Sequence, residues 1–150
     1  MYSLLLPLHS LLRWLLLLFL VSAIVCAWRG YSQHRTFSRT VNALRHWTAT
    51  IGHTQLVAGM LLYIRSPVVS YWRNGADGRE PAFFGFVHIS LMILAVIVLT
   101  IGSSLSKRKT DSHARYRVML FWFSAALLII LLAIPWPFAP WAHRPYFRPF

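Results

Sequence analysis

His9 and Arg13 stand one helical turn apart in "LHSLLRWLLLLFL", a run that otherwise reads as hydrocarbon. His53 and His88 lie in two further apolar stretches. Ionisable residues within a membrane span are costly, roughly 2.5–3.5 kcal/mol for an arginine at the helix centre on insertion scales, so they are expected to face a bundle interior and to serve a function there. Neutral imidazole is a good iron ligand, and ligation offsets the cost of burying its ring nitrogens. The chemistry these residues suggest is ligation of a haem iron, or polar contact with a quinone head group.

The elements that must position them are helices in lipid. The 150 residues are 57% hydrophobic and 12% charged, the composition of a single membrane domain. Four stretches, at about 4–27, 47–64, 82–103 and 117–135, approach or exceed the roughly 20 residues needed to cross a bilayer core. The pattern predicts an all-α membrane protein, a four-transmembrane-helix up-down bundle. The second stretch, "WTATIGHTQLVAGMLLYI", carries polar residues through its first half and is the span expected to be shielded by the other three. The first stretch has no basic leader region and a longer apolar run than a signal peptide needs, so it reads as a retained helix.

A net charge of +12 would suggest nucleic acid on a soluble domain. Here it follows topology. Arg29, Arg35, Arg39, Arg45, Lys107, Arg108, Lys109, Arg115 and Arg117 fall in the first and third loops; Arg65, Arg73, Arg79, Arg144 and Arg148 fall on the opposite side, partly offset by Asp77 and Glu80. The bias predicts both basic loops in the cytoplasm and both termini outside, in the periplasm. No groove-reading motif or aromatic-basic strand platform accompanies the charge, which excludes nucleic-acid binding and leaves attraction to anionic headgroups. "SPVVSYWRNGADGREP" reads as an exposed loop capping the outer end, and the prolines from Pro135 onward end the fourth helix, leaving 136–150 as an aromatic interfacial tail. Cys26 is the single cysteine and reads as a small packing residue.

Helical rise converts position into depth. His9 and His88 come out level, about 8 and 9 Å below the outer surface, while Arg13 and His53 lie deeper, at about 14 and 17 Å. Two histidines level on diagonal helices are what a haem iron needs, with His53 as an alternative ligand should its helix tilt by a turn. Gly85 precedes His88 on the same face, where a missing side chain can admit a flat macrocycle. Gly52 and Gly59 give the second helix a small-residue face, suited equally to close helix packing. Arg13 and His53 would then form a polar pocket with Thr50, Thr54 and Gln55 for a quinone head group, a haem propionate or a water. No C-x-x-C-H attachment motif is present, so the haem would be non-covalent, haem b.

The stretches "LHSLLRW", "HTQLVAGMLLYIRSP", "VHISLMILAVIVLTIG" and "IPWPF" together resemble a family of small four-span bacterial inner-membrane proteins labelled cytochrome-b-like. The resemblance covers nearly the whole chain. It implies a four-helix membrane bundle with histidines in its first three spans, matching His9, His53 and His88, and an arginine matching Arg13.

The expected function is that of a b-type cytochrome-like electron-transfer subunit in a respiratory or quinone-linked complex of the bacterial inner membrane. The alternative is a cofactor-free accessory subunit burying its polar face against larger membrane partners. A stand-alone enzyme using His53 and Arg13 for proton transfer ranks below both, because no nucleophile, base and orienting group can be assembled from the chain.

Overall fold

A computed structural model describes residues 2–75, 77–140 and 142. The long apolar runs fold as helices: α1 (Tyr2–Ser32), α2 (Arg39–Arg65), the short α3 (Pro67–Arg73) and α4 (Arg79–Ala82), then α5 (His88–Arg108) and α6 (Ser112–Ala133). A single π-helical turn, Phe83–Val87, joins α4 to α5. No strand occurs among the described residues.

Local chemistry sets the ends. Ser38 caps α2 by accepting from the Val41 amide, and Asp111 caps α6 by accepting from the Ala114 amide at 2.7 Å. Ser66 caps α3, with Pro67 in its first turn, where a missing N–H costs nothing. This helix occupies sequence expected to be irregular loop; the Ser-Pro pair was its signal. Of the tail expected over 136–150, only 136–140 and 142 fall within the described residues.

The helices close into a ring in which α1 packs against α2 and α6, while α5 packs against the same two. α1 and α5 therefore face each other diagonally, with α2 and α6 on the flanks. Leu20, Leu99, Met119 and Phe123 fill the centre, and Ala23, Ala27, Ala126 and Ala133 are fully buried where small side chains let helices approach. Large apolar side chains also point outward. Leu132 is 72% exposed and Phe121 69% exposed, an apolar surface made for lipid.

Three helical stretches are long and apolar enough to cross a membrane: Tyr2–Ser32, Arg79–Arg108 and Ser112–Ala133. This is a membrane protein. α2, at 27 residues, has the length to span but not the apolarity, so it is not among the three. Three of its polar side chains are turned inward: Arg45, Thr48 and Gln55 are buried. Arg45, expected as a loop charge, is thus an interior residue of a helix.

Candidate functional site

On α2, Gly52, Gln55, Gly59 and Leu62 recur at helical spacing and share the inward face. Gly52, Gln55 and Gly59 form one wall of a cavity of about 140 Å³, whose other walls come from α1, α3, the π turn, α5 and α6. Two imidazoles meet there. His9 on α1 and His88 at the start of α5 have ring centres 6.5 Å apart, with planes inclined by 71°.

Each ring is oriented by a different device. His88 Nδ1 donates to the Ala133 carbonyl at 2.7 Å, which fixes the proton on Nδ1 and leaves the Nε2 lone pair available. Phe83 and Phe84 of the π turn flank the same ring, their centres each 5.8 Å from it. The Tyr63 hydroxyl donates to the Gly85 carbonyl at 3.0 Å and ties that turn to α2. On the other side, the Gln55 amide donates to the His9 carbonyl at 3.0 Å and lies 3.3 Å from His9 Nε2. That contact makes Nε2 the acceptor and puts the His9 proton on Nδ1. His9 Nδ1 and Gln55 Oε1 are both buried without a hydrogen-bond partner, so a polar group or a water in the cavity could bond to either.

No family model, curated protein or solved structure matches this chain. Its site is therefore read from geometry alone.

The donor pair suits one central atom. Metal–imidazole bonds of about 2 Å put two ring centres about 6 Å apart across an ion. Among the described residues no group of three or more histidine, cysteine or acidic side chains can hold a bare metal ion, so an ion here would have to bring its own donors, as haem iron does. The space does not suit that macrocycle. An apolar cavity of about 150 Å³ holds one benzene-sized ring, and four linked pyrroles need several times as much. His9 Nε2 is already engaged by Gln55. The arrangement fits a single polar ring and not, as it stands, a haem.

Other expected site residues fall elsewhere. A Cβ on Gly85 would come within 2.4 Å of the Trp72 ring, so this glycine makes room for an indole and not for a macrocycle. His53 follows Gly52 by one residue, a turn of about 100°, which carries it off the cavity wall to the exposed face. There its Nε2 meets the Thr100 hydroxyl at 2.9 Å, so it is not an alternative ligand beside His9 or His88. Thr50 and Thr54 donate to carbonyls of their own helix. Arg13 donates to Ser10 and lies over the Trp14 ring, so the expected pocket of Arg13 with His53 is not assembled. Gln55, expected beside Arg13, serves His9 instead.

Proposed function

We propose that this chain is a quinone-binding subunit of a quinone-linked electron-transfer assembly, and that the cavity between His9 and His88 takes the quinone or quinol head group. The observation that carries the reading is a one-ring cavity with two orphaned polar atoms and a histidine acceptor whose tautomer is fixed. A quinol hydroxyl can donate to His88 Nε2, and the His9 N–H supplies a donor for a carbonyl form. Met60, on the cavity wall and exposed, marks a path for a prenyl tail toward lipid.

A second reading is haem b held by His9 and His88, favoured by their 6.5 Å separation. It requires Gln55 to release His9 and the cavity to widen. Both readings belong with an arrangement in which α2 also crosses the bacterial inner membrane, giving four spans with both termini outside, and in which larger subunits of a respiratory complex cover α2.

The test is a quinone extraction and a dithionite-reduced minus air-oxidised spectrum on the full chain in mild detergent. Co-purification of about one quinone per chain, lost in His88→Ala, with no b-type band, is the expected result. A b-type band lost in the same variant would establish the haem reading. Neither chromophore nor quinone, even with both supplied during expression, would leave a cofactor-free accessory subunit.

A further inference from the structure

The end of the bundle opposite His9 and His88 gathers the α1–α2 and α5–α6 turns and most of the positive charge. Arg45 is only 5% exposed there. It donates through Nη1 to the Ser103 carbonyl at 2.8 Å and to the Ser103 hydroxyl, and through Nε and Nη2 to Asn42 Oδ1 at 3.3 and 3.2 Å. Arg115, from α6, donates through Nη2 to the same Asn42 oxygen at 3.1 Å and stacks over Phe37 at 3.8 Å. Three N–H groups thus converge on one neutral oxygen with two lone pairs. Arg115 Nε is buried with no partner.

Among the described residues no carboxylate is paired with these two cations. The chain has three acidic residues: Asp77 and Glu80 belong to the opposite end, and Asp111 is engaged in capping α6. Two guanidinium groups brought together in a partly desolvated site without a directly paired carboxylate repel each other and forfeit hydration, an arrangement stabilised by a bound anion. The guanidinium fork matches a tetrahedral phosphate, and the unused N–H groups of Arg115 remain for it. Arg39, Arg108 and Lys109 stand at the same helix ends and add long-range attraction.

We propose that Arg45 and Arg115, bridged by Asn42, form a phosphate-binding site at the basic end of the bundle. The depth of this end, where membrane helices give way to turns, makes the phosphate of an anionic lipid its ligand.

The test is thermal unfolding of the full-length protein in neutral detergent, titrated separately with phosphatidylglycerol, phosphatidylcholine and inorganic phosphate. Phosphatidylglycerol should raise the midpoint saturably and phosphatidylcholine should not. Arg115→Gln should weaken the phosphatidylglycerol effect on the order of tenfold, the loss expected for one charge-assisted contact, while Lys107→Gln should leave it nearly unchanged. Arg115→Lys, which keeps the charge and loses the fork, should fall between wild type and Arg115→Gln. A response to inorganic phosphate that Arg115→Gln removes, with none to the lipid, would keep the anion site and assign it a soluble phosphate. Equal losses in Arg115→Gln and Lys107→Gln, or an Arg115→Gln protein that responds as wild type, would overturn the site.

Discussion

The hydrogen bond from His88 Nδ1 to the Ala133 carbonyl, 2.7 Å long, uses an acceptor left free because α6 ends at Ala133, where Ile134 turns to extended backbone. In a continuing helix that carbonyl would accept from the amide of residue 137, and proline has none. The same logic holds two residues earlier: Pro135 leaves the Leu131 carbonyl without a helical donor, and Trp136 Nε1 supplies one at 2.9 Å. The end of α6 thus leaves two acceptors free, one of which sets the tautomer of the cavity histidine.

Restoring the amide should disturb the histidine without touching the cavity. In the double variant Pro135→Ala/Pro137→Ala the helix can run on and place the amide of residue 137 against the Ala133 carbonyl, so His88 loses its orienting partner part of the time. Ligand affinity should fall roughly tenfold, at the low end for the loss of a partner that orients a histidine. Quinone or haem retention after detergent washing measures it, and full retention would show that the Ala133 bond does not orient the site.

Gly59 lies against the His9 ring. A Cβ there would sit 3.2 Å from His9 Cε1, so Gly59→Ala should shift the imidazole by a few tenths of an ångström while α2, which loses only a poor helix former, stays folded. The expected outcome is weakened retention of bound ligand at near-wild-type helicity by circular dichroism. An unfolded variant, or one with its ligand intact, would contradict this placement of His9.

His53→Ala separates the structure from the sequence-based expectation. With His53 exposed and bonded only to Thr100, its removal should leave occupancy of the cavity unchanged and alter stability by less than about 1 kcal/mol. Loss of the bound group in this variant would move the site to the α2–α5 face.

Gly85→Ala tests the close approach of Trp72. The added methyl meets the indole at 2.4 Å, and overpacking of this kind costs about 1–3 kcal/mol. Unfolding by a denaturing detergent should shift to lower concentration by a matching amount. Trp72→Ala in the same background should recover part of the loss.

Asn42→Leu removes the acceptor shared by Arg45 and Arg115. A buried donor left unpaired costs about 1–3 kcal/mol, and this change strands N–H groups of both arginines. Stability in neutral detergent should fall by at least that amount, and added phosphatidylglycerol should recover more of it than in wild type. An unaffected midpoint would mean that water serves these donors equally well.

Much of the fold was legible because lipid leaves few alternatives. A backbone in hydrocarbon must satisfy its own hydrogen bonds, so long apolar runs broken by Ser-Pro, Asn-Gly and Pro-rich segments could only be helices with turns between them. His9 and His88 were found because an imidazole in such a run is costly, and helical rise alone put them at one level. His53 was misread for a specific reason. Depth along a helix follows from residue count, but facing depends on rotation, and the sequence of α2 has polar residues on several sides: Thr50, His53 and Thr54 as well as Gln55. Arg45 and Arg115 were counted as loop charges because their helices begin before the apolar runs do, at Arg39 and Ser112.

What the sequence determined by itself was therefore the apolar character, the helices and the relative height of polar residues along them, since each depends on composition and on a fixed rise per residue. Only the tertiary structure decided which residues share a cavity, how wide it is, and which carbonyl holds the His88 proton. Those are properties of helix rotation and of contacts between distant segments: Gln55 against His9, Ala133 against His88, Trp72 against Gly85. No local periodicity encodes them, because they are fixed by how four helices fit their side chains together at once.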